Sequence, residues 1–435
     1  MLSVRASNEI KKAKGKSMAR AVELMKRMKN APAFQAATNR RIRMLALVAF
    51  CLLPFALSSS AHEPITTKVR FNKEVIRVLQ RNCLSCHHAG GFAPWSLVTY
   101  DEARPWAKAI KEEILEKRMP VWHAVRGYGE FRNAPEMTQH EVDLIVNWVE
   151  GGAPKGDDKD IPKGPLFATD WQLGKPDLIL KSEEQTVATN ADERRAVTLA
   201  ELKEDRWVMA VDLQPGNGSV VHCATVYAEK DSRSIAIGTW MPGQRTVALP
   251  EDVAQMVVAG SRITARIHYR GVDEEAKDAT SVGLYFAKTA PRKQAREVAI
   301  TNADAIIPAG EAAHQVKLSV MTKEDTEAVA IRPRANALMI SFQATAFRPD
   351  GSQEVLIWTK GYRYDWQMTY YFKRAVALPK GTRIEVIAYF DNSASNSNNP
   401  FDPPKQIRWS DISQEPLCAL VVANERNGND AAGMR

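Results

Sequence analysis

Between residues 70 and 150 apolar side chains recur at helical spacing. NKEVIRVLQRN, residues 72–82, reads as a short helix. In EARPWAKAIKEEILEKR, Ala107, Ile110, Ile114 and Leu115 share one helical face. In MTQHEVDLIVNWVEGGAP, Thr138 and Glu141 have the spacing of a capping box. Val142, Ile145, Val146 and Val149 then follow at i, i+3, i+4 and i+7, and Gly151-Gly152 supplies the stop.

The period changes beyond residue 180. RITARIHYR alternates Ile263, Ala265, Ile267 and Tyr269 against Arg262, Thr264, Arg266, His268 and Arg270, and ALMISFQATAF and GTRIEVIAYF behave alike. No long amphipathic helix is expected there. Short alternating segments between turn residues predict antiparallel sandwiches. The fold class expected is therefore a multidomain chain, a small all-α domain followed by an all-β module. From Gly151 to Asp177 the composition turns to Gly, Pro, Lys and Asp, as in a linker.

Composition is that of ordinary globular protein, 45% hydrophobic and 25% charged, and 435 residues favour more than one domain. The formal charge of +8 does not indicate a nucleic-acid partner. Residues 1–61 carry twelve Lys and Arg against Glu9 and Glu23, so the remainder is close to neutral. Those residues include RRIRMLALVAFCLLPFALSSSAHE, with a basic stretch at Arg40–Arg43, an apolar run Met44–Leu57 and small residues ending at Ala61. This is the layout of a cleaved secretory signal, and its apolar run is short for a membrane span. Cleavage is expected near Ala61, which makes the chain periplasmic or otherwise exported; membrane association follows only if the signal is retained. The long basic extension leaves the start open between Met1 and the internal Met25, Met28 or Met44. Phe50 before Cys51 argues against lipoprotein processing.

RNCLSCHHAG contains Cys83-Leu84-Ser85-Cys86-His87. Zinc would need two more ligands, and there is no second CxxC. A thioredoxin-type pair would need a βαβ context. The pattern satisfies c-type haem attachment, with Cys83 and Cys86 as thioethers and His87 as the proximal ligand. Covalent haem is normally attached after export, in keeping with the segment upstream. For the sixth ligand Met119, in KRMPVW, sits on a loop constrained by Pro120; His123, His88 and Met137 are the alternatives. A thioether there raises the potential, an imidazole lowers it.

CLSCHHAGGFAPWSLVTYDEARPWAKAIKEEILEKRMPVWHA and MTQHEVDLIVNWVEGGAPKGD resemble the cytochrome c module of bacterial proteins that fuse it to a copper type II, ascorbate-dependent monooxygenase-like module. The resemblance implies Met119, in the RMPxW position, as distal ligand. GSVVHCATVY, GTWMPGQRTVALPEDVAQMVVAGSRITARIHYRG, SVGLYFAK, FRPDG, LPKGTRIEVIAYFDNSASNSNNP and RWSDISQE resemble successive segments of the two-jelly-roll (peptidylglycine hydroxylating monooxygenase-like) enzymes. That implies one copper site per jelly roll, the first relaying an electron and the second activating oxygen at a C–H bond.

The ligand positions depart from that pattern. At the first site stand His222 and His268, with Cys223 where the family has histidine. At the second stand Gln343, Thr345 and Leu417, in place of two histidines and a methionine, with Cys418 the one soft donor nearby. Redox copper wants imidazole, thioether or thiolate donors, which an amide, a hydroxyl and an alkyl chain do not replace. Residues 222 and 223 on a regular strand face opposite ways, and Arg266 and Arg270 share the face of His268. A buried thiol beside two surface or hydrogen-bonded histidines, a vestigial site, is expected there.

The boundaries expected are an extension and signal over 1–61, a cytochrome c domain over 62–156, a linker over 157–176, jelly rolls over 177–295 and 296–425, and a tail over 426–435. The function expected is single-electron transfer through one covalent haem, to or from a periplasmic electron-transfer protein or redox complex, with the β module as a binding or docking surface. The alternatives are a working copper monooxygenase fed by the cytochrome, and a structural subunit of a larger redox complex.

Overall fold

The computed structural model describes residues 66–426, apart from 136, 164–170, 303, 335, 364, 365 and 413–415. The signal segment, Cys51, the cleavage position near Ala61 and residues 427–435 lie outside the described residues. The helical pattern resolves into α1 Ile76–Asn82, preceded by a π-helical turn at Phe71–Val75, α2 Tyr100–Ala103, α3 Ala107–Leu115 and α4 Gln139–Glu150. Pro105 lies in the 3-10 turn Arg104–Trp106 between α2 and α3, where its missing N–H is tolerated at a helix start. The capping box forms as expected. Thr138 Oγ1 accepts from Glu141 N at 3.2 Å, and Glu141 Oε2 accepts from Thr138 N at 2.8 Å. Ile145, Trp148 and Val149 of α4 are buried with Phe71, Leu79 and Leu84 in one core. Leu115, expected on the inner face, is 51% exposed, because it is the last residue of α3 before the chain reverses at Lys117, φ 57°.

The rest of the described chain is mostly β-sheet. In its first half lie β1 Leu178–Lys181, β2 Gln185–Val187, β3 Asp192–Glu201, β4 Arg206–Gln214, β5 Val221–Lys230, β6 Arg233–Trp240, β7 Val253–Val257, β8 Arg262–Arg270, β9 Ala276–Asp278 and β10 Ser281–Phe286. In its second half lie β11 Lys293–Ile300, β12 Ile306–Ile307, β13 His314–Met321, β14 Thr326–Pro333, β15 Met339–Phe347, β16 Gln353–Lys360, β17 Tyr370–Leu378, β18 Arg383–Phe390, β19 Ile407–Arg408 and β20 Cys418–Glu425, with the single-turn helix α5 at Trp409–Ile412.

An eight-stranded sheet of order β1-β10-β4-β7-β11-β20-β14-β17 runs through both halves. Its halves join where β11 pairs parallel with β7, Lys293 opposite Val253 and Gln294 opposite Ala254. The expected boundary at 295/296 falls inside β11. The four-stranded sheet β3-β8-β5-β6 covers the first half, with Val226, Ala265 and Ile267 packed against Val208, Leu213 and Leu284. The four-stranded sheet β13-β18-β15-β16 covers the second, with Phe342, Ala344 and Val386 packed against Ile331, Leu420 and Val422. The alternation read in β18 is that of an inner face, while in β8 Thr264 and His268 of the polar set are buried as well.

The segment after α3 ties the helices to the second half. Ala124 bridges to Thr359 of β16 and Phe131 to Phe372 of β17, so one strap lies on the edge strands of both sheets. Val125 N donates to Trp358 O at 2.7 Å, and Arg132 N to Tyr371 O at 2.8 Å. Pairing of this kind satisfies edge groups that would otherwise invite another chain.

Candidate functional site

The CxxCH motif is one helical turn at the end of α1. Cys83 N and Leu84 N donate to Leu79 O, Cys86 N donates to Cys83 O at 3.1 Å, and His87 N donates to the same oxygen at 3.0 Å. Leu84 anchors the turn with 0% exposure. Both thiols are partly buried and free of any disulfide. Burial, with Cys86 and Glu141 adding to it, pushes the Cys83 thiol up to about 12; burial pushes Cys86 to about 11 against a hydrogen bond from Ser85.

His87 has a defined tautomer. Its Nδ1 lies 3.2 Å from Trp95 O, and a carbonyl can only accept, so Nδ1 carries the proton and Nε2 the lone pair. Burial holds the imidazole below its usual range, while the Trp95 carbonyl pulls the other way. A neutral imidazole fixed through Nδ1 by a carbonyl is the arrangement of a metal-ligating histidine. Residues 83, 86 and 87 therefore fit a c-type haem. Trp95 stacks on Trp106 beside this ring, centroids 4.7 Å apart and planes 15° apart, with both indoles about two-fifths exposed.

The four candidates for the sixth position lie in different surroundings. His123 is buried in the second β half, its ring 5.3 Å from that of Tyr362 and its carbonyl accepting from Lys360 N at 3.1 Å. Met137 packs on the helical core. His88 Nδ1 bonds its own loop at Ala89 O, 2.9 Å. Met119, just after α3, is 39% exposed.

In the first β half His222 and His268 come together. Cys223 pairs with His268 across β5 and β8, and the register shifts between Val221 and Cys223, so His222 is the extra residue of a β-bulge. The strict alternation expected at 222 and 223 is interrupted there. The two imidazoles stand 5.0 Å apart, nearly perpendicular, at 1% and 5% exposure. His268 Nε2 donates to Asp192 Oδ1 at 2.5 Å, and burial keeps the ring neutral against that bond. Both histidines are thus buried and His268 is hydrogen-bonded, as expected for one of them, whereas the Cys223 thiol expected to be buried is only partly so, because it follows the bulged residue. Arg270 Nε is 3.9 Å from Asp192 Oδ2, and Arg266 is drawn off to Glu229. Among the described residues no group of three or more His, Cys, Asp or Glu is arranged to hold a metal ion.

At the other family position, Gln343 Nε2 donates to Thr345 Oγ1 at 3.1 Å on one face of β15. Leu417, 2% exposed, belongs to the apolar core of the second half, and Cys418 is wholly buried, its thiol pushed far up by desolvation. The strap crosses β16 close by, with Tyr128 edge-on to Trp358, the residue opposite Gln343.

Sequence reasoning missed Phe92. This residue of the CxxCH loop reaches into the β module, its ring 5.1 Å from His222 and 5.5 Å from Trp366. An aromatic residue in a Gly-Gly-Phe-Ala-Pro loop with no helical or strand period was the available signal.

No helix among the described residues is long and apolar enough to cross a membrane. No family model matches the chain, and no curated protein matches it. Among solved structures it is similar to the major capsid protein P2 of bacteriophage PM2, at 10% identity over 57% of this chain and 99% of that one, TM-score 0.25. It is similar also to the PBSX exported protein XepA, at 8% identity over 49% of this chain and 86% of that one, TM-score 0.17. A third is allantoicase of Saccharomyces cerevisiae, at 8% identity over 54% and 77%, TM-score 0.16.

Proposed function

We propose that the chain is an exported single-haem c-type cytochrome joined to a tandem jelly-roll module of the copper monooxygenase type that no longer activates oxygen. The observation that carries the reading is the His87 Nδ1 bond to Trp95 O within a CxxCH turn. It leaves Nε2 as a ligand atom on the ring that follows the second thiol. Cys83 and Cys86 would hold the group covalently, and His87 would bind its iron. Met119 would be the second ligand, as the resemblance of its RMPxW segment implies; His123 lies in the second β half and Met137 packs on the helical core. Bound haem supplies one-electron exchange at its iron.

The donor set of the second copper position supports the loss of oxygenase chemistry. Its amide and hydroxyl bond each other, and its third member is an apolar core side chain. The vestigial first position keeps two buried imidazoles, one of them bonded to Asp192. The β module then serves as a binding or docking surface for a periplasmic redox partner. Haem, copper and zinc quantified on the purified exported protein test this directly. One covalent haem, no stoichiometric copper and no substrate-dependent oxygen uptake are expected; a copper equivalent lost in His268→Ala would instead support the working oxygenase.

A further inference from the structure

The loop carrying the CxxCH motif is pressed against the β module at three points. Cys86 Sγ lies so close to Gly243 that a β-carbon there would stand 2.6 Å from the sulfur, and 3.3 Å from Ser85 Oγ. A β-carbon at Gly218 would stand 3.0 Å from Gly90 O. Phe92 then packs beside His222 of the first half and Trp366 of the second. Spacing within the motif speaks only of the helical part; these contacts bring in residues more than a hundred positions away.

Gly243 has two separate reasons to be glycine. It has φ +71°, and it is the third residue of the turn Met241-Pro242-Gly243-Gln244, closed by Gln244 N donating to Met241 O at 3.1 Å. Proline second and a positive φ third is the type II pattern. The turn is held at both ends. Met241 is 1% exposed in the core, and Gln244 O accepts from Gln172 Nε2 at 3.2 Å.

We propose that the Met241–Gln244 turn is a wall of the haem site, so that attachment is shared between the helices and the first β half. The inference rests on the cytochrome reading and assigns to Gly243 the positioning of Cys86. In thioether formation the thiol adds across a vinyl group. A C–S bond forms, the C=C π bond breaks, the thiol hydrogen ends on the neighbouring carbon, and no electrons leave the pair of reactants. The turn fixes the direction of Cys86 Sγ for this addition and keeps water from the thioether afterwards. A hydrogen at Gly243 leaves room for the sulfur, and a methyl group does not.

The test compares exported full-length wild type, Gly243→Ala and Gly310→Ala. Gly310 also has a positive φ, +81°, but nothing lies within 4 Å of a β-carbon there, so it controls for backbone strain. Acid–acetone extraction and the alkaline pyridine spectrum count haem and thioethers per chain. Wild type and Gly310→Ala are expected to carry two thioethers. Gly243→Ala is expected to lose haem severalfold and to show the red-shifted band of a single thioether, with Cys86 free to alkylate. Two thioethers at wild-type stoichiometry in Gly243→Ala would overturn the proposal; a haem-free wild type would instead sink the cytochrome reading. If circular dichroism shows Gly243→Ala unfolded, wild type made without haem decides. Its Cys86 should alkylate at least about tenfold more slowly than in denaturant, as a group reached only by local opening does. Open Cys86 beside a still protected Cys418 would overturn the inference.

Discussion

The rings of Phe92 and His222 stand 5.1 Å apart, joining the loop of the CxxCH motif to strand β5 of the β module. Phe92 lies nine positions after Cys83, so the CxxCH turn and His222 meet through one side chain. A chain whose helices were merely tethered by a linker would not bury an aromatic there. Phe92→Ala should destabilise the protein by about 1–3 kcal/mol, less than the ~3–5 kcal/mol of a fully buried Phe because Phe92 is partly buried. Denaturant unfolding should also lose its single transition, the helical part melting first. An unchanged midpoint would mean that the contact holds nothing together.

The sixth ligand is tested by potential. Met119→Ala should drop the reduction potential sharply or leave the iron high-spin, because a thioether raises the potential and its loss opens the position. Met137→Ala should lower stability without moving the potential, since Met137 packs on the helical core. A shift in Met137→Ala and none in Met119→Ala would reverse the assignment.

Glu141 sets an acid limit. Burial pushes its carboxyl up, but the Thr138 amide and hydroxyl, the Arg81 charge and Asn82 outweigh burial and leave it below its usual 4.5. A group whose folded value is depressed contributes stability above the unfolded value and loses it as pH falls through the folded one. The helical part should therefore weaken as pH falls below about 4.5, and Glu141→Gln should flatten that limb while keeping the capping box. Glu141→Ala should cost about 0.5–2 kcal/mol near neutrality, the range of a lost cap. Circular dichroism against pH reads both; an identical acid limb in Glu141→Gln would remove the linkage.

His268 should act through structure and not through metal. His268→Ala should lower the melting temperature, because its Nε2 donates to Asp192, and leave metal content unchanged, because among the described residues no group of three or more donors is arranged to hold a metal ion. His268→Gln should recover part of the loss by donating to the same carboxylate. A metal equivalent that vanishes with His268 would contradict this.

What could be read along the chain was local. The capping box of Thr138 and Glu141 and the stop at Gly151 depend on neighbours a few residues apart, and both appear in the structure; β8 forms, but Thr264 and His268 of its polar set are buried. Relations between distant segments could not be read. The β-bulge at His222 depends on β8, forty residues on, and overrides the alternation expected of a regular strand. The strap that turns His123 into the second half pairs with strands more than two hundred residues away. Pairing of β7 with β11 makes one sheet of what composition divides in two. At the site, residue types gave the thiols and imidazole of the motif, but the Trp95 carbonyl that fixes the tautomer of His87 is a backbone group that no motif names.

The most direct test is the alkaline pyridine spectrum of exported wild-type protein after acid–acetone extraction. Haem that stays with the chain at one equivalent, and that is lost in Cys83→Ser/Cys86→Ser, is the predicted result. A colourless protein in which both thiols react with iodoacetamide would contradict the account.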